Sequence, residues 1–218
     1  MSKVSQLALL GALAMFGVGQ AASPAAASAL GIDITNTGLT FGNSQLFSAD
    51  EETGGYQFAV NGQPVQVTAL GVFDNGNIAN LDLSGGPTFV QLWTAGGAAL
   101  SGPVSVTASN YFQDGLFAFV AVAPMSLAAN TNYIVGSEGF GEFALRLNPS
   151  DYTVNPYITY VEDQYDTTFG ALTFPESSTD SEVGIFGGNV ELVPEPMSLS
   201  LFGFGLAGLG LLRRRKRA

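Results

Sequence analysis

The sequence predicts an all-β domain, an antiparallel β-sandwich or jelly roll, flanked by an N-terminal signal helix and a C-terminal transmembrane helix. Three observations lead to this class. Short apolar runs alternate with turn residues through the middle of the chain, whose 218 residues include 28 glycines and 10 prolines. No stretch between residues 30 and 193 keeps a helical period, and none repeats at the 20–50-residue spacing of solenoids and propellers. Both ends carry uncharged apolar segments whose flanking residues differ from those of a soluble helix.

At the N-terminus, Lys3 precedes the 12-residue apolar run Leu7–Val18, and small residues follow. A basic start, a short greasy centre and a small-residue exit make a secretory signal peptide, and the run is too short to span a bilayer. Two cleavage points fit, Gly19-Gln20-Ala21 and Ala27-Ser28-Ala29; the second is the cleaner small-x-small pattern and sets the signal peptide at 1–29.

The domain expected over 30–193 is a series of short strands. Candidates are Tyr56–Val60, Val65–Phe73, Phe89–Thr94, Val104–Ala108, Leu116–Val122, Asn132–Ser137, Phe143–Leu147, Tyr157–Val161, Ala171–Phe174 and Val183–Val193. Val65, Val67, Ala69 and Gly71 share one face of a period-two strand, with Gln66 and Thr68 on the other. Gly96-Gly97, between Trp93 and Leu100, reads as a hairpin turn, and Trp93, alternating with Val and Leu, reads as core.

The C-terminal segment 194–218 has three parts in order: Pro194-Glu195-Pro196, the 16 uncharged residues Met197–Leu212, and Arg213-Arg214-Arg215-Lys216-Arg217. Proline tolerates the first turn of a helix, so Pro196 can open one at Met197. Sixteen residues give about 24 Å of helix, slightly short of a hydrocarbon core, and flanking arginines can snorkel to make up the difference. The basic cluster stays on the cytoplasmic side, so the preceding domain lies outside the inner membrane, as the N-terminal signal also requires.

This tail resembles the PEP-CTERM sorting signal in Pro194-Glu195-Pro196, in the Gly-rich run with Gly203, Gly205, Gly208 and Gly210, and in the terminal Arg/Lys cluster. The resemblance implies recognition by an exosortase, cleavage near Pro194–Pro196, and transfer to the cell surface or an exopolysaccharide matrix. Residues 67–136 also resemble an uncharacterised all-β domain often found with such tails. That likeness rests on Val67-Thr68-Ala69-Leu70-Gly71-Val72-Phe73-Asp74, Val90-Gln91-Leu92-Trp93, Phe119-Val120-Ala121-Val122, Leu127 and Asn132-Tyr133-Ile134-Val135-Gly136. It implies a β-sandwich and transfers no catalytic residue.

Charge and composition narrow the function. Between 30 and 193, seventeen acids face Arg146 alone, which leaves sixteen net negative charges. Such a surface repels phosphate backbones and argues against nucleic-acid partners. It suits a soluble extracellular domain and attracts cations or basic partners. There is no cysteine and no histidine, so disulfides, zinc-thiolate sites and histidine-based triads are excluded and packing alone must hold the fold.

Three groups of residues could carry chemistry. Asp74, Asn75, Asn77 and Asp82, around Gly76, offer oxygens to calcium, or equally form a surface turn whose Asp and Asn bond their own backbone. The acids Asp50-Glu51-Glu52, Glu138 with Glu142, and Glu162-Asp163 with Asp166 could pair as in glycoside hydrolysis, or stand apart as solvated loop charges. Tyr152, Tyr157, Tyr160 and Tyr165 could stack on sugar, with Tyr157 and Tyr160 on opposite strand faces, or simply pack. The expected protein is therefore exported and non-enzymatic, handled by signal peptidase and exosortase and passing through the inner membrane by 197–212. Its expected role is structural or binding and linked to exopolysaccharide; the alternatives are a carbohydrate-binding module or a small glycan hydrolase.

Overall fold

The computed structural model describes residues 29–35, 46–48, 53–81, 83, 87–138, 142–144, 147, 150–168, 172–178 and 186–195. The signal segment up to residue 28 and the tail from Pro196, including Met197–Leu212 and Arg213 to Arg217, lie outside the described residues, as does Asp82.

The described chain is all-β. Its strands are β1 (Ala29–Leu30), β2 (Ile32–Ile34), β3 (Leu46–Ser48), β4 (Thr53–Val60), β5 (Val65–Phe73), β6 (Thr88–Thr94) and β7 (Val104–Val106). They continue with β8 (Phe112–Asp114), β9 (Phe117–Leu127), β10 (Asn132–Glu138), β11 (Glu142–Ala144), β12 (Tyr152–Val154), β13 (Ile158–Asp166) and β14 (Gly188–Pro194). The helical content of the described residues is a single 3-10 turn, Ile78–Asn80.

Two five-stranded antiparallel sheets form a sandwich, in the orders β1-β14-β5-β9-β8 and β13-β4-β10-β6-β7. The pairs β3/β11 and β2/β12 are separate two-stranded ribbons. The sheets come close where β14 passes β10: a Cβ added at Gly188 would come within 2.9 Å of the Gly136 backbone, so only glycine fits there. Between the sheets lie Tyr56, Phe58, Phe73, Phe117, Phe119 and Phe186, all fully buried. Phe117 meets Phe73 edge-on and tilts against Phe119, while Phe186 meets the rings of Tyr56, Tyr152 and Tyr160 edge-on. Such geometries add to plain area burial.

Most predicted strands appear with shifted ends, and the shifts have causes. Strand β9 runs on to Leu127, past Val122 and through Pro124. It does so by bulging: Val67 pairs with Met125 and Ala69 with Ala121, so four steps of β9 oppose two of β5. Among the described residues, strand β8 pairs only with Phe117, Ala118 and Phe119, so Pro124 sits on an edge where its missing N–H costs no ladder bond. The expected strand Val183–Val193 begins at Gly188, and residues 181–185 lie outside the described residues. No strand forms over 172–174; Ser177 instead bridges Tyr165. The alternation in β5 holds only through Thr68; from Ala69 to Phe73 every residue is buried, as in a strand covered on both faces. Trp93 is core, 4% exposed and edge-on to Phe174. The turn at Gly96-Gly97 forms, with Gly97 N donating to Thr94 O and Gly97 at φ 85°.

One buried polar group fastens the N-terminal strands to the sandwich. Asn189, fully buried on β14, accepts from Tyr56 Oη (2.8 Å), Ile32 N (3.1 Å) and Val190 N (2.9 Å), and donates to Ile32 O (2.6 Å). Its oxygen is saturated and the donor has a partner, as a buried amide requires.

Candidate functional site

The register sorts the loops into two ends. At the near end are the turns 61–64, 95–98, 128–131 and 156–157, since Val60 pairs with Ile158, Ala59 with Asn132, and Tyr133 with Thr94. At the far end are the loop after Phe73 and the start of β9, with Phe73 opposite Phe117, and the paired residues Thr53, Glu138 and Asp166.

The chain leaves the sandwich at the near end. Strand β14 pairs Val193 with Gln66 and Pro194 with Val65, so the first proline of the Pro-Glu-Pro motif is the last rung of a sheet. A proline is tolerated there because the strand ends with it. Glu195 is also held: its N–H donates to Pro64 O at 3.4 Å, and its carboxylate Oε1 accepts from Ser126 Oγ. Ser126 lies on β9 opposite Gln66, so the contact reaches across the end of β5. Pro196 and Arg213, Arg214, Arg215, Lys216 and Arg217 lie outside the described residues.

The loop Asp74–Asn80 closes the far end. Asn75 (φ 52°) and Gly76 (φ 78°) both take left-handed backbone, which Asn and Gly tolerate best. Asp74 is fully buried. Its Oδ1 accepts from Gly76 N and Gln113 Nε2, each at 2.9 Å, and its backbone oxygen accepts from Asn77 N and Asn80 Nδ2. Its Oδ2 is enclosed and takes no hydrogen bond. Burial pushes the Asp74 carboxyl above the ordinary aspartate value, against the bonds from Gln113 and Gly76 that pull it down. Asn77 Oδ1 caps the 3-10 turn by accepting from Ala79 N. Calcium wants six to eight oxygens. Here the Asp74 Oδ1 and Asn77 Oδ1 atoms serve the loop's own N–H groups, and among the described residues no three His, Cys, Asp or Glu gather as a metal cage.

Of the other acids, Glu138 and Asp166 oppose Thr53 from the two strands flanking β4, and Glu162 and Asp163 lie opposite Gln57 and Tyr56. Asp163 and Glu138 are buried, the latter at the end of β10 with its carbonyl accepting from Thr88 Oγ1. Asp166 is pushed up by its slight burial but pulled lower overall by Thr168 and Thr173. Oδ1 takes the N–H and hydroxyl of Thr168, and Oδ2 the Thr173 hydroxyl at 3.0 Å. Such a carboxylate stays ionised and serves poorly as a general acid. Asp50, Glu51 and Glu52 lie outside the described residues, and so does the side chain of Glu142.

The tyrosines correct one expectation. Tyr157 lies in the turn before β13 rather than on it, so strand parity does not apply, and Tyr152, Tyr157 and Tyr160 all pack against the core. Burial first, then the charges of Asp163 and Glu162 and the neighbouring Tyr152, raise the Tyr160 hydroxyl above its ordinary value. Tyr160 meets the rings of Tyr56, Tyr152 and Phe186, and Tyr152 also meets Phe186, while Tyr165 lies on β13 opposite Gly54.

Three residues that matter here carried no sequence signal. Ser126, Gln113 and Asn189 lie 69, 39 and 157 positions from the groups they hold, Glu195, Asp74 and Ile32, and only the sheet brings them together. Compared with protein families, with curated proteins and with solved structures, the chain matches none.

Proposed function

We propose that this protein is an exported domain with a structural or binding role at the cell surface or in an exopolysaccharide matrix, delivered by a C-terminal tail that a membrane protease removes. One observation carries the reading. Strand β14 stays paired with β5 through Pro194, and after Glu195 the chain continues directly with Pro196, sixteen uncharged residues and the basic cluster Arg213–Arg217. Strand β14 ends at Pro194, so removal of the tail after Glu195 leaves every described strand intact. The Pro-Glu-Pro motif, the apolar run and the basic stop resemble a PEP-CTERM signal, and an exosortase is the expected enzyme.

The domain itself supports a packing or binding role over catalysis. Asp166 is held ionised by three hydrogen bonds, and Asp74 Oδ1 is occupied by Gly76 of its own loop and by Gln113. Fractionation of cells with and without the sorting enzyme tests the reading. With the enzyme, the domain is expected in the surface or matrix fraction; without it, in the inner membrane at full length. An identical distribution in both strains overturns the proposal.

A further inference from the structure

The two ends of the sandwich differ in charge, and the tail leaves from the one whose turns are uncharged. The near-end turns 61–64, 95–98, 128–131 and 156–157 contain no Asp, Glu, Lys or Arg, and Gln63, Ala98, Asn130 and Pro156 stand exposed on them. This is unexpected in a segment with sixteen net negative charges. The described acids sit higher. Asp114 pairs with Phe117 at the far end, Glu138 and Asp166 both oppose Thr53, Asp74 follows β5, and Asp33 Oδ1 lies against Gly115 in the β8–β9 turn. Asp151 lies beyond the far-end rung Tyr152–Ile34, and Glu176 adjoins Ser177, which bridges Tyr165 opposite Gly54. The acids nearest the near end are Glu191, opposite Ala69, Glu162, opposite Gln57, and Asp163, opposite Tyr56. Glu195 is the exception, and Ser126 holds its carboxylate.

From this arrangement we infer that the end with uncharged turns is a lipid-facing surface: while the tail is inserted, the domain stands end-on against the phospholipid headgroups, with the described acids other than Glu195 set back from them. The inference rests on the tail reading proposed above. Met197, where the apolar run starts, is two positions beyond the clasped Glu195, so the connecting chain spans at most about 7 Å. That reach cannot hold the near-end turns clear of the headgroup layer. Anionic lipid repels carboxylates over a Debye length of about 8 Å at physiological salt. The nine residues of β5 rise about 30 Å at 3.3 Å each, so the far-end acids stand well beyond the reach of that field. Acids in the near-end turns would lie inside it.

The absence of cysteine makes the test clean. Chains of residues 29–218 with Gln63→Cys or Asp114→Cys, both at exposed positions, are labelled with one fluorophore and mixed with vesicles of phosphatidylethanolamine and phosphatidylglycerol carrying a headgroup quencher. Flotation with the vesicles reports insertion independently of orientation. The expected result is flotation of both variants, with several-fold stronger quenching at Gln63→Cys than at Asp114→Cys. Flotation with equal quenching, or stronger quenching at Asp114→Cys, overturns the end-on surface and leaves the tail reading intact. A chain that does not float overturns both.

Discussion

The near and far ends of the sandwich solve opposite problems. At the near end the chain must stop: β14 runs to its last rung, Glu195 is tied to Ser126 and Pro64, and no charged side chain stands in the turns. At the far end the chain must fold back. There the Asp74 loop closes over a buried carboxylate that keeps one oxygen without a partner. The near-end turns are uncharged and Glu195 is clasped beside them, while at the far end Asp74 Oδ2 is buried without a hydrogen bond.

The largest test of this contrast is truncation. A chain ended after Glu195 should melt with the full exported domain. One ended after Gly187 loses β14 with Asn189 and should not fold, because it exposes β5 and leaves Ile32 and Tyr56 without their buried partner. Circular dichroism separates the two, and equal melting would show that β14 is dispensable.

Asn189→Ala isolates the hub within that strand. It strips Tyr56 Oη and the Ile32 amide groups of their partner, at about 1–3 kcal/mol for each buried group left unsatisfied. With roughly 2–4 °C per kcal/mol for a domain of this size, Tm should fall by about 10 °C. A loss of only a degree or two would mean that the strands hold without it.

Asp74→Asn sharpens the far end. The amide keeps an acceptor for Gly76 and Gln113 and removes the buried charge. It should stabilise the domain at neutral pH by about 1 kcal/mol, the lower range for an unsatisfied buried group. The pH dependence has a definite sign. A carboxyl whose folded pKa is raised gives stability that is complete below the ordinary aspartate value, about 3.9. That stability is lost as pH climbs through the raised value. The wild type should therefore weaken over that window and Asp74→Asn should not, as followed by urea unfolding. Millimolar calcium should leave both unchanged; a rise in the wild type alone would put a cation on Oδ2.

Thr173→Val is the smallest. It removes one of three bonds to Asp166, whose lowered pKa contributes stability above the ordinary aspartate value and loses it as pH falls through the folded one. At this half-buried, solvent-screened site the loss should be less than about 1 kcal/mol, seen at neutral pH and fading in acid, the reverse of Asp74.

What could be read from the sequence follows from the range of each interaction. Val65–Phe73 is legible to the residue because its apolar pattern is local and turn residues bound it. Strands β2, β8 and β12 have three residues each, too short for a period, and exist because neighbouring strands supply their partners. Pro124 looks like a stop, but a bulge carries β9 past it. At the candidate sites, Asp74-Asn75-Gly76 announces a turn. Its burial does not show, since Gln113 and Leu116 arrive from a distant hairpin. Pro194-Glu195 is conspicuous as a motif, yet its place in the sheet depends on Val65 and Ser126, far away in sequence.

The intact mass of the exported product, from cells that contain the sorting enzyme, tests the account most directly. The predicted species ends close to Pro194–Pro196 and lacks Arg213 to Arg217, with strand β14 complete. A product that keeps the basic cluster would contradict it.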